Sequence, residues 1–156
     1  MKRLLTALAL TTALIAPGLA QARPVSMTVN MKSYGGDGAY LAIYVTDAAG
    51  VYQGSLWMAG GKSKYYKHMS DWYAATGGDR AEVDGITGAS VGQGRSLEVT
   101  LDLADVMIDA GYQLHIDAAV EDMRDSPSEI VVPLTSAGAG QAVSGGRYIA
   151  DFTYGM

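Results

Sequence analysis

The chain has 156 residues, no cysteine, 20 glycines and a formal net charge of −5. That length suits one domain, and 49% hydrophobic against 17% charged residues is too apolar for an intrinsically disordered polypeptide. The lack of cysteine excludes a disulfide framework, a thiolate zinc site and a cysteine nucleophile.

The chain opens with Met1-Lys2-Arg3 and an apolar, helix-prone run from Leu4 to Ala20, followed by small residues in Ala20-Gln21-Ala22. This is the three-part pattern of a cleaved secretory signal over residues 1–22. Thr11, Thr12, Pro17 and Gly18 interrupt the run and leave it too short to span a bilayer. Cleavage after Ala22 would leave a single domain over residues 23–156, exported and periplasmic. Without Lys2 and Arg3 it carries nine basic against 16 acidic side chains, about −7. Such a balance opposes binding to nucleic acid and to anionic lipid, and no second apolar run offers direct membrane insertion.

Alternation with a period of two dominates the mature chain. Val25, Met27, Val29 and Met31 form one face of a first strand. After the turn residues Gly35-Gly36-Asp37-Gly38, Leu41, Ile43 and Val45 alternate with Tyr40, Ala42 and Tyr44. Asp47-Ala48-Ala49-Gly50 reads as a hairpin turn into a third strand, Val51 to Ala59, carrying Trp57. Lys64 to Thr76 changes period: Tyr65, Met69, Trp72 and Tyr73 form a helical stripe, closed by Gly77-Gly78, expected to cover one end of a sandwich.

Residues 79–95 read as a long loop, a length more often functional than idle. Strands resume with Leu97, Val99, Leu101 and Leu103, then with Tyr112, Leu114, Ile116, Ala118 and Val120. Ile130 to Leu134 and Arg147 to Tyr154 are the last two, separated by a flexible Ser136–Gly146 segment. The expected fold is all-β: an immunoglobulin-like antiparallel sandwich of about seven strands with one short helix.

Most chemistries find no pattern here. His68 and His115 lack a second ligand at a metal-binding spacing, and both read as surface or rim histidines. Asp102, Asp105 and Asp109 lack the glycine and closing glutamate of a calcium loop and read as solvated turn carboxylates. No serine sits at a strand-to-helix elbow, and no ordered Ser, His and acid set occurs, so a turnover enzyme is not expected.

The segment Asp84-Gly85-Ile86-Thr87-Gly88-Ala89-Ser90 stands apart. It presents a threonine between small residues, sterically open to a large partner. An isolated hydroxyl is a weak nucleophile without a base or metal beside it, which suits a modification acceptor better than a catalyst. By its residues alone the segment also fits an Asx-type turn with Gly88 left-handed.

D-x-x-T-G-A-S resembles the acceptor motif of proteins carrying FMN covalently through its phosphate, as in subunits of the sodium-pumping quinone reductase and the Rnf complex. The resemblance implies attachment at Thr87, with Asp84, Gly88, Ala89 and Ser90 read by a periplasmic FAD:protein FMN transferase. Across the chain, the order of Y-L-A-I-Y-V-T-D-A-A-G, S-L-W-M, D-W-Y, V-D-G-I-T-G-A-S and G-Y-Q-L-H-I-D-A-A-V-E is similar to a family of exported proteins of unknown function. Its members are often encoded beside PepSY-type membrane proteins and the flavin transferase. That family commonly shows D-A-V-S-G-A-T-R, where this chain has Thr87 for the serine and Val91 for the arginine.

The resemblance implies a periplasmic flavoprotein exchanging electrons with a PepSY-type membrane redox protein. Trp57, Trp72 and Tyr73 are candidate platforms for the flavin ring, although Trp72 and Tyr73 equally suit seating the helix on the sheet. Arg80 and Arg95 are candidate partners for its phosphate. A second class of function, a non-redox binding or structural module, uses the same architecture without the modification.

Overall fold

The computed structural model describes residues 21–156. The expected signal segment lies outside the described residues, apart from Gln21 and Ala22 at its end.

Nine strands form two sheets among the described residues. Seven are long and correspond to those expected: β1 (Ala22–Met31), β2 (Tyr40–Thr46), β3 (Tyr52–Ala59), β5 (Ser96–Ala104), β6 (Gln113–Ala119), β7 (Ser126–Pro133) and β9 (Ile149–Gly155). Two are dipeptides, β4 (Thr87–Gly88) and β8 (Val143–Ser144). The sheets run β5-β1-β9-β8 and β4-β3-β2-β6-β7. The architecture is an all-β sandwich, with a connectivity of its own. Lettered A to G in chain order, the long strands form D-A-G and C-B-E-F, whereas antibody constant domains use A-B-E-D and C-F-G.

The period-two pattern is what closes the sandwich. Val25, Met27, Val29 and Met31 of β1 are buried against Leu41, Ile43 and Val45 of β2, Leu114 and Ile116 of β6, and Phe152 of β9. Strand β2 is buried on both faces, because the far side of the five-stranded sheet carries a second apolar layer. There Ala42, Tyr44, Met58 and Ala119 pack against Tyr66, Met69, Trp72 and Val83.

The expected helix over Lys64 to Thr76 is two pieces. A 3₁₀ segment, Ser63–His68, is followed by α1, Ser70–Thr76, with a break at Met69 (φ −88°, ψ 73°). The buried stripe is Tyr66, Met69 and Trp72, at the spacing of three that a 3₁₀ turn favours, while Tyr65 is half-buried and Tyr73 is 39% exposed. These segments cover the outer face of the sheet rather than one end of the sandwich, since that face would otherwise leave Ala42, Tyr44 and Met58 in water. Gly77, left-handed at φ 67°, ends α1 as expected.

No neighbouring side chain caps α1; the sheet does it instead. Asp117 of β6, with no exposed surface, accepts from the Trp72 amide at 2.8 Å, the Ser128 amide at 2.7 Å and the Tyr44 hydroxyl at 3.1 Å. Its carboxyl is pushed above the ordinary range, chiefly by desolvation, with these donors holding it back. The register of β6 with β7 shifts beside Asp117, where the Ser128 amide turns from the ladder to the carboxylate at φ +43°.

Candidate functional site

The segment expected as a loop is anchored along its length. Asp79 accepts the Ala81 amide at 2.9 Å and starts a 3₁₀ turn, Arg80–Val83, whose Val83 is buried in the outer apolar layer. Gly85, at φ +75°, redirects the chain, so the left-handed glycine of this turn is Gly85 and not Gly88. Thr87 and Gly88 then run parallel to β3, opposite Met58 and Ala59, as the outermost strand of their sheet. The Met58 amide bonds to Ile86 O at 2.9 Å and the Gly60 amide to Gly88 O at 2.8 Å. Val91 pairs with Ala39 through two backbone hydrogen bonds.

Thr87 is exposed, and its hydroxyl donates to Val83 O at 2.8 Å. It stands at a recess of about 550 Å³ lined by Gly61, Tyr66, Arg80, Val83, Asp84 and Gly85, among others. Asp84, exposed, shares this lining. Gly88 belongs to the opposite side of the strand. A Cβ there would lie 2.7 Å from Cζ2 of Trp57, so the indole occupies the space that any side chain at position 88 requires.

Ala89 is exposed and lines neither this recess nor its neighbour. Ser90 continues past the end of β4, against Gly38, and lines a second recess of about 540 Å³ with Tyr40, Lys62, Tyr65 and His68. The structure therefore places Asp84 and Thr87 together, Gly88 on Trp57, and Ser90 on a separate recess.

The other candidates separate in the same way. Arg80 is the guanidinium on the Thr87 recess; Arg95 lies at the far end of the segment, its carbonyl bonded to the Met31 amide of the other sheet. Trp72 is fully buried, its indole N–H donating to Ser55 Oγ at 2.9 Å, so it seats α1 and offers no face to a ligand. Tyr73 folds over Gly78, beyond α1. Trp57 adjoins β4, and its Nε1 is buried without a partner. Val91, where the resembling motif has arginine, is buried, so that position offers no cation here.

Neither histidine is a bare surface residue. His68 Nδ1 lies 3.1 Å from Asp125. His115 is half-buried, stacked on Tyr44 with ring centroids 5.1 Å apart, and desolvation lowers its pKa below the ordinary value. Its Nε2 lies 3.1 Å from Thr46 Oγ1 and its Nδ1 3.4 Å from Ser128 Oγ.

Sequence reading missed this grouping of Ser128, His115 and Asp71, because the three residues lie on β7, β6 and α1. The Ser128 hydroxyl donates to Asp71 at 2.6 Å, so the acid rather than the imidazole holds its proton, unlike a serine-protease triad. The three turn aspartates also part: Asp102 lies on β5 opposite Pro24 rather than in a turn, Asp105 pairs with Arg23 at 2.7 Å, and Asp109 accepts from the Ser136 hydroxyl and amide, which lower its pKa. Among the described residues, no group of three His, Asp or Glu side chains is placed to hold a metal ion.

Residues 22–151, from β1 through both recesses into β9, match a family described as predicted periplasmic protein (DUF2271). The chain belongs to the DUF2271 family. It is a periplasmic protein, and no curated protein or solved structure matches it. The match takes in the whole Asp84–Ser90 segment of this DUF2271 protein. No helix among the described residues is long and apolar enough to cross a membrane.

Proposed function

We propose that this DUF2271 protein carries FMN covalently on Thr87 and serves as a periplasmic electron carrier to or from a PepSY-type membrane redox protein. The observation that carries the reading is Thr87, exposed on a sheet-edge strand at the lip of a recess that also holds Arg80, with its hydroxyl turned to Val83 O. A sheet-edge residue is open to a modifying enzyme on one whole side.

The residues present fit the group. A recess of about 550 Å³ lies within the range of small-molecule sites. Arg80 is suited to pair with a phosphodiester. Esterification removes the hydroxyl proton that Thr87 donates to Val83 O, yet that carbonyl keeps the Ile86 amide at 3.2 Å. In the transfer, the FAD pyrophosphate breaks, the flavin-side phosphorus joins Thr87 Oγ1, AMP leaves and the hydroxyl proton goes to solvent. Asp84, Gly88, Ala89 and Ser90 are the residues an FAD:protein FMN transferase would read.

Bound FMN supplies the redox chemistry, and the protein supplies tether, orientation and exposure. Tethering raises the effective concentration of the flavin at a docking surface and prevents its loss outside the cytoplasm. The acidic composition biases encounters toward basic patches on partners. The test is intact mass after exported co-expression with the transferase. The expected result is a gain of one FMN less one water, absent in Thr87→Ala and kept in Thr87→Ser. An unchanged wild-type mass refutes the flavin reading and leaves the binding or structural module.

A further inference from the structure

We propose that the flavin ring is seated not beside its attachment residue but in the second recess, reached across a side-chain-free saddle at Gly61. This rests on the attachment of FMN at Thr87 and assigns a site to the ring.

The two recesses differ in what they can hold. The Thr87 recess carries Arg80 and otherwise mostly small residues and backbone; its one aromatic, Tyr66, is 4% exposed and occupied. The Tyr66 hydroxyl donates to Gly60 O at 3.1 Å, and its ring meets Trp72 edge-on at 5.6 Å. That recess suits an anionic phosphate and offers no ring face.

The second recess is the reverse. Tyr40 and Tyr65 are half-buried there, with centroids 5.2 Å apart, above a floor of buried Ala119 and Val120. Lys62, His68, Asp37, Glu121 and Asp122 share its lining, a mixed set that suits a neutral heteroaromatic ring with donors and acceptors on its rim. The Tyr65 hydroxyl is held by Glu121 at 2.5 Å, which fixes the platform, and Lys64 Nζ covers one face of the ring at 4.6 Å from its centroid, so the flavin would stack on the other face. Offset stacking on such a ring is a favoured geometry for an aromatic ligand.

Consecutive residues join the linings of the two recesses. Gly61 lines the first recess and Lys62 the second. Around the position a Gly61 Cβ would occupy, no atom beyond its two chain neighbours lies within 4 Å, and Gly61 itself brings no side chain. Ser90, three residues from Thr87, already lines the second recess, which puts it within about 11 Å along the chain. Gly61 is not in the left-handed region, so a Cβ there needs no strained backbone and meets no atom within 4 Å beyond its chain neighbours.

The experiment loads wild type, Gly61→Leu and Tyr65→Ala with FMN by exported co-expression with the transferase. It measures intact mass, flavin fluorescence yield and fluorescence anisotropy, with circular dichroism as the check on folding. A tyrosine in contact quenches flavin emission by electron transfer. The expected result is the FMN mass on all three proteins, with emission several-fold higher and anisotropy lower in both variants than in wild type. Loaded variants whose emission and anisotropy match wild type overturn the ring site while leaving the attachment intact. Loss of the mass gain in Gly61→Leu alone also overturns it, by assigning the saddle to transferase docking. A wild-type protein without the mass gain refutes the attachment itself.

Discussion

Substituting Gly88 by alanine tests why glycine stands beside Thr87. The added methyl carbon would lie 2.7 Å from Cζ2 of Trp57 and 3.4 Å from Cε2. Carbon atoms pack best at about 3.5–4.0 Å, so roughly 1 Å must be found. Neither partner yields easily. Gly88 is held by its carbonyl to the Gly60 amide at 2.8 Å, and Trp57 packs against the sandwich core. Overpacking of this kind costs about 1–3 kcal/mol. At this size, about 2 kcal/mol corresponds to roughly 4–10 °C in melting temperature.

Guanidinium unfolding followed by far-UV circular dichroism should show a lower midpoint at unchanged m. The decisive measurement repeats the substitution in a Trp57→Leu background, where the clash is gone and the cost should fall below about 0.5 kcal/mol. Equal costs in the two backgrounds would refute the indole as the reason for glycine. The loaded proteins carry the argument one step further. If Gly88→Ala loses the FMN mass and the double variant regains it, the glycine serves the transferase by setting the backbone under Thr87.

Three more outcomes are expected from the polar contacts. Asp117→Ala leaves the Trp72 and Ser128 amides and the Tyr44 hydroxyl without their acceptor and should cost about 3 kcal/mol or more. Amide exchange of α1 should rise to sub-global rates, and an unchanged rate would refute the cap. For His115, burial lowers the folded pKa beneath the ordinary 6.5, so the unfolded chain takes the proton first as pH falls. Its contribution is complete above 6.5 and lost as pH falls through the folded value, opposed by the charges of Asp117 and Asp71. His115→Gln should therefore flatten the fall in denaturation midpoint below neutrality, and parallel pH profiles would disprove it. Glu129 Oε1 accepts the amides of Arg147, Tyr148 and Ile149 at 2.7, 2.7 and 2.8 Å. Glu129→Ala should cost about 2–4 kcal/mol and remove exchange protection at Tyr148 and Ile149; retained protection would show that the turn holds itself.

The strands are legible because period-two patterning and burial on one face are the same physical fact. β1 shows it directly, with Val25, Met27, Val29 and Met31 all inside. Helix placement is less legible. An α-helical spacing selects Tyr65 for the stripe, whereas a 3₁₀ turn brings Tyr66 to the buried side. The outer apolar layer does leave a signal in the sequence: Ala42 and Tyr44 make β2 apolar on both faces, which requires a cover on each.

β4 and β8 escape periodicity because a dipeptide has none. Gly88 reads locally as a glycine of conformational freedom, although what requires it is the indole of Trp57, 31 residues earlier in the chain. The grouping of Asp71, His115 and Ser128 depends on docking α1 across β6 and β7, a long-range placement that no local motif encodes.

The Thr87 hydroxyl depends on both apolar layers at once. The inner core fixes β3, and β3 fixes β4 through the Met58 and Gly60 amides. The outer layer fixes the turn that carries Val83 O, because Val83 is buried with Tyr66, Met69 and Trp72. The Thr87 hydroxyl bridges the two by donating to that carbonyl. Tyr52 adds a second tie, donating to Glu82 at 2.8 Å from β3, with its phenol pKa pushed up to about 12 by burial. Loosening α1 should therefore free the Arg80–Val83 turn before the sandwich opens, giving the segment a smaller opening free energy than the strands beneath it. Asp117, through the Trp72 amide, is the residue by which β6 holds α1 and, with it, the side of the Thr87 segment that carries Arg80.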